Sequence, residues 1–210
     1  GGVDITRKYD GTGSPLRYFS FLYEAREEML ESIVNGTWVK FNDLTRGTRL
    51  PKLGDYGARR LRKEALKMIN DGPYFLFMNF IDAHGPHENL LRYSQNSVPN
   101  DWSSSRKSVL ELNETPDKKY FTAYENLYRS SVSYLDEEVG SLVNELIEHD
   151  TTVIITSDHG EGLGHPDPVF GHKGLSQCVV NVPFLIINPP EERDVELYSH
   201  LDLPSLIMGL

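Results

Sequence analysis

One cysteine, Cys178, stands among 210 residues. A single thiol excludes an internal disulfide, which points to a reducing, cytoplasmic compartment. Long apolar runs are missing as well. None approaches the roughly 20 residues that span a bilayer, and no charged-then-apolar leader opens the sequence, so a soluble chain with no membrane partner is expected. Cations are scarce. Lys and Arg number 21 against 31 Asp and Glu, giving a formal net charge of -10 and a pI near 5.1. Duplex nucleic-acid binding rests on clustered Lys and Arg that neutralise phosphates, so no nucleic-acid partner is expected. Internal repeats and low-complexity linkers are absent. The chain also opens "GGVDITRKYDG" without an initiator methionine, and is read as part of a longer protein. Two N-x-T triplets, at Asn35 and Asn113, would matter only in a secreted protein and read as chance occurrences.

What is present suits one globular domain over residues 1–210. The chain is 39% hydrophobic and 25% charged, ordinary values for a folded soluble protein. Apolar residues at helical spacing predict a helix from Pro15 to Val34, stopped by Asn35-Gly36, and a second from Asp55 to Asn70, broken by Asp71-Gly72-Pro73. The run "YFLFMNF", residues 74–80, is apolar throughout and too short for a helix here, so it predicts a buried strand. Glu88 to Asn113 is polar and aperiodic and reads as a long surface excursion. The longest helix is expected over 117–148, with Thr115-Pro116 at its start. Strands follow in "TTVIIT" and "VPFLIINPP", with a short final helix from Asp202. Helices alternating with short apolar strands predict an α/β fold with a mainly parallel sheet flanked by helices, whose ligands collect at the carboxyl ends of the strands. The strands 74–80, 152–156 and 183–187 are expected in that sheet. An edge left unpaired in it would be a template for a homodimer.

Both "YFLFMNFIDAHGPH" and "TTVIITSDHGEGLGHPDPVFGHKG" are strand-to-loop transitions. They place Asp82, His84, His87, Asp158 and His159 near one rim of the sheet, with His165, His172 and Lys173 following in the second loop. A carboxylate beside an imidazole reaches a divalent cation where the backbone turns sharply, a turn that Gly160 permits. A bare Asp-His-Gly is equally read as a helix cap with a hydrogen-bonded surface histidine. His87 and His165 are read as surface-loop residues.

Taken together, "SDHGEGLGH", "FGHKG" and "VPFLI" resemble the C-terminal metal and substrate segment of the sulfatase family, within the alkaline-phosphatase-like superfamily. "FLFMNFIDAHGPH" resembles that family's strand ending in Asp-Pro-His, with Ala83 in place of the proline, and "YRSSVSYLDEEVGSLVNEL" resembles the helix before its metal strand. The resemblance covers residues 55–210. It implies an alkaline-phosphatase-like fold acting on a small-molecule sulfate ester, with phosphate or phosphonate esters as the alternatives. Asp158 and His159 would be metal ligands for calcium, manganese or zinc. His84 would face the ester oxygens or leaving group, and either His172 or Lys173 would be the cation over the sulfate.

The family's paired aspartates and its Cys-x-Pro-Ser-Arg or Ser-x-Pro-Ser-Arg segment are not found in these residues, and the "SQCVVNV" around Cys178 lacks that form. A nucleophile is required for ester hydrolysis. The chain therefore reads as the later part of a sulfatase-like domain, inert by itself, or as a non-catalytic module that kept the fold.

Overall fold

A computed structural model describes residues 55–69, 73–91, 98–191 and 198–209, with single positions between 36 and 50. The helix expected over 15–34 lies outside the described residues. The chain divides into two compact units, Gly1–Arg46 and Gly47–Leu210. The second carries every element below.

Helix α1, Ala58–Met68, starts where Asp55 accepts hydrogen bonds from the Gly57 and Arg59 amides at 3.2 and 3.0 Å. These are orphan donors of a first turn. Gly57 has φ 118°, a backbone state that a Cβ disfavours. Ala58 and Ala65 bury the inner face, and Arg59 and Arg62 both reach the buried carboxylate of Glu138, at 3.1 and 2.8 Å.

The long helix is α3, Lys118–Glu148. Asp117 accepts from the Lys119 amide at 3.0 Å, and Tyr124, Leu127, Ser131, Tyr134, Glu138 and Leu142 form the buried stripe. The apolar spacing that made the helix readable overlaps this stripe at Tyr124, Leu127 and Leu142, whereas Val132 is exposed and Ser131 and Glu138 are buried polar residues. At its far end Asp150 adopts φ 52°, which turns the chain back into strand β1, Val153–Thr156.

Between these lies a correction. The expected surface excursion over 88–113 contains α2, Arg106–Glu114, which Ser105 caps by accepting the Ser108 amide at 3.3 Å. Trp102 and Leu112 join Ala123, Tyr124, Leu127 and Phe170 in one core cluster, and His87, Glu88 and Asn89 are buried. Some of the polar residues here are interior groups with partners, as where the Ser104 hydroxyl donates to the His87 carbonyl at 2.8 Å. Asn113 acts as a strand edge. Its amide donates to the Phe170 carbonyl and accepts from the Phe170 N–H, at 3.0 and 2.9 Å, which agrees with the chance reading of its N-x-T triplet.

The sheet is the second correction. Strand β1 pairs antiparallel with β4, Phe184–Ile187, from Val153 opposite Ile187 to Thr156 opposite Phe184. A parallel pair needs a crossover of a dozen residues or more, usually a helix. Between these strands the chain forms only the two-residue strands β2, Gly162–Leu163, and β3, Phe170–Gly171, and the one-turn helix α4, Gln177–Val180. Residues 73–80 are assigned to no strand and form no ladder with a described strand. Leu76, Met78 and Phe80 pack on the cluster of Ala65, Leu142 and Leu146, while Phe75 and Phe77 are 73% and 82% exposed. The described residues thus form no mainly parallel sheet. The chain closes with a 3-10 turn, His200–Asp202, and helix α5, Leu203–Met208, near the expected start at Asp202. No described helix is long and apolar enough to cross a membrane.

Candidate functional site

Three loops meet at one rim. The first turns after Ile81, where the His84 amide donates to the Ile81 carbonyl at 3.0 Å. The second leaves β1 at Ser157, whose hydroxyl donates to the His159 carbonyl at 2.7 Å. The third follows β3, which Asn113 and the buried ring of Phe170 hold against α2 and α3.

Their imidazoles converge. Ring centroids are 4.4 Å apart for His159 and His172, 5.5 Å for His84 and His172, and 6.3 Å for His84 and His159. One ring nitrogen from each lies within 4.8 Å of the other two. A backbone carbonyl only accepts, so the contacts of His84 Nδ1 with Gly85 O at 2.5 Å and of His159 Nδ1 with Gly160 O at 2.8 Å place a proton on each Nδ1. Each Nε2 is then the free position of its ring, a lone pair on the neutral imidazole and an N–H on the protonated one.

Gly160 works differently from the sharp turn expected of it. Its φ is not positive; the backbone of α4 lies against it instead. A Cβ there would sit 2.1 Å from the Cys178 carbonyl oxygen, and the Gly160 N–H donates to Val179 O at 2.8 Å. Gly160→Ala is expected to cost about 1–3 kcal/mol by overpacking against backbone that has no room to yield. A urea midpoint unchanged within error would show that α4 moves freely.

The other candidates fall in three places. Asp158 flanks the trio: its carboxylate accepts from the His159 N–H at 3.1 Å, lies 3.9 Å from His159 Nε2 and is 90% exposed. Lys173 is exposed on the loop next to His172. Asp82 is buried and accepts the Tyr56 amide at 2.9 Å, tying the approach to α1. Burial raises its carboxyl above the usual range. His165 is the surface residue expected, 3.6 Å from Glu125.

His87 corrects the surface reading. It is 0% exposed, its ring lies 5.1 and 5.2 Å from those of Tyr124 and Tyr128, and neither nitrogen has a hydrogen-bond partner. Burial, and secondarily the charge of His84, pushes its pKa down to about 3.

Glu161 was not singled out in the sequence. Its side chain is 6% exposed, accepts the Tyr124 hydroxyl, and lies 3.5 Å from His172 Nδ1 and 3.9 Å from His87 Nε2. Burial first and the Glu161 charge second raise the Tyr124 phenol far above its ordinary value, so it remains a donor. The signal was there in Gly160-Glu161-Gly162, a lone carboxylate between two glycines that admit no Cβ.

A family model described as Sulfatase matches residues 15–210. A curated relative, the uncharacterized sulfatase YidJ of Escherichia coli (strain K12), is 23% identical over 176 residues, covering 73% of this chain. The chain spans 35% of that protein's length. No solved structure matches.

Proposed function

The chain belongs to the sulfatase family, and from that premise we propose that the protein containing it hydrolyses a small-molecule sulfate ester at the rim where His84, His159 and His172 meet. The observation that carries this reading is the convergence itself. Three histidines separated by up to 88 positions, 172 − 84, bring ring nitrogens within 4.8 Å of one another.

A sulfate monoester is an anion, and cleaving its ester bond develops further charge on the leaving oxygen. His84 is assigned to that oxygen, because an imidazole donates a proton near neutral pH. His172 is assigned to the sulfate oxygens. The buried Glu161 carboxylate lies 3.5 Å behind its Nδ1, which leaves Nε2 as the ring position open to the anion. Lys173, exposed on the same loop, adds a solvated positive charge. These residues serve the sulfate and leaving-group side of the reaction; the attacking group is not assigned to any of them.

The family generally uses a divalent metal, with Asp158 and His159 as this chain's proposed ligands. A bound cation would offset the negative charge of the sulfate. The donors fit a nitrogen-accepting ion such as zinc or manganese. They do not by themselves fit calcium, which takes six to eight oxygens.

The test is hydrolysis of an aryl sulfate and the matching aryl phosphate by the native protein. Sulfate turnover is expected to exceed phosphate turnover. The opposite order would make it a phosphatase, and no turnover of either ester would favour a non-catalytic module. His172→Ala is expected to lower kcat/KM about 100-fold and Lys173→Ala less than about tenfold, the difference between a placed ionic hydrogen bond and a screened charge. A larger loss at Lys173 would reverse the two assignments.

A further inference from the structure

The geometry points to a three-imidazole site, built by His84, His159 and His172, that takes one zinc-like transition-metal ion. Its donor set differs from the Asp158–His159 pair, since it uses all three nitrogens of the trio and no carboxylate. Zinc binds imidazole at about 2.0–2.1 Å, so nitrogens around one tetrahedral ion stand about 3.4 Å apart. The present separations, within 4.8 Å, close to that by rotation of exposed and half-exposed rings.

Second-sphere contacts support the same reading. Metal-bound histidine donates its other N–H to a carbonyl or carboxylate, which fixes the tautomer and aims the lone pair. Two rings have such a partner, Gly85 O for His84 and Gly160 O for His159, and the buried Glu161 carboxylate stands 3.5 Å from His172 Nδ1, close enough to become the third. The loops are also tied before any ion arrives, by the His84 amide to Ile81 O and the Gly160 amide to Val179 O, at 3.0 and 2.8 Å. Three neutral imidazoles favour zinc, cobalt, nickel or copper over calcium or magnesium. The fourth tetrahedral position is left for water or an anion.

An ion held this way takes the lone pairs of His84 and His172. Resting on the sulfate-ester reading, the consequence is inhibition when the ion occupies the trio instead of the Asp158–His159 pair, because those two rings lose the N–H groups assigned to the ester. The site itself does not depend on that reading.

The experiment is a titration of the chelator-treated native protein with Co²⁺, read by the visible absorption of tetrahedral cobalt, followed by displacement with Zn²⁺. One Co²⁺ per chain is expected, displaced by zinc and not by millimolar calcium. His84→Gln and His172→Gln should each weaken Co²⁺ binding by at least 100-fold, and Glu161→Gln by about 10-fold through His172. Substitution of exposed rings leaves the core intact, and an unchanged urea midpoint confirms folded variants. Wild-type affinity in both His84→Gln and His172→Gln overturns the proposal. So does binding abolished by Asp158→Asn but kept in those two, which would put the ion at the Asp158–His159 pair. Because the readout contains no ester, cobalt binding without sulfate turnover sinks only the hydrolase reading.

Discussion

Replacing His84 with alanine is expected to lower aryl-sulfate turnover by the native protein about 10²–10⁴-fold, the range for a placed general acid. The expectation rests on orientation. The tight turn from Ile81 and the Nδ1–H bond to Gly85 O fix the ring beside those of His159 and His172, 6.3 and 5.5 Å away between centroids. The size of the loss should depend on the ester. A nitrophenolate departs without help, whereas an alkoxide needs its proton as the bond breaks, so an alkyl sulfate should lose about tenfold more than a nitrophenyl sulfate. Equal losses on the two would assign His84 to the sulfate oxygens instead. A change below about threefold on both would remove His84 from the reaction.

The second large effect is on stability in acid. His87 has a folded pKa of about 3, below the ordinary imidazole value of 6.5, because burial disfavours its charged form. Between those two values the unfolded chain binds a proton that the folded chain refuses. Stability is therefore complete above about pH 6.5, falls as pH drops, and levels off below about pH 3. The loss attributable to His87 over that window is at most about 5 kcal/mol. Glu161, 3.9 Å away, would welcome an imidazolium, but its nearer oxygen already accepts the Tyr124 hydroxyl, and no hydrogen bond joins the two side chains. His87→Phe keeps a ring between Tyr124 and Tyr128 and gives up no hydrogen bond, since neither nitrogen has a partner. Urea midpoints at pH 7, 5.5 and 4 should fall steeply for wild type and much less for the variant. Parallel pH curves would mean that His87 opens to solvent or pairs with Glu161 on protonation.

The helices were legible because their cues are local. For 118–148 the apolar period and the Asp117 cap lie within a few residues of one another, and α1 follows the same logic from Asp55 to Met68. The short apolar runs at 153–156 and 184–187 likewise announced strands. All five histidines of the two loops were read near one rim, since strand ends and glycine loops carry that much along the chain, but not which three of them would meet. Pair direction was another matter. It depended on whether a helix crossed between β1 and β4, and the intervening loop supplies only short pieces. In the run 74–80 the only mark of the outer face is Asn79, which alternates with the exposed Phe75 and Phe77, whereas Leu76, Met78 and Phe80 pack inward; two phenylalanines on the outer face masked that signal. Burial of polar groups was just as hidden. His87, read as a loop residue, and Glu161, passed over, are interior because Tyr124 and Tyr128 arrive from a helix dozens of residues away. A side chain's spacing from its neighbours is written in the sequence, but its solvent, its partner and the charge it can hold are set by whatever the fold delivers to it, and that only the tertiary structure decided.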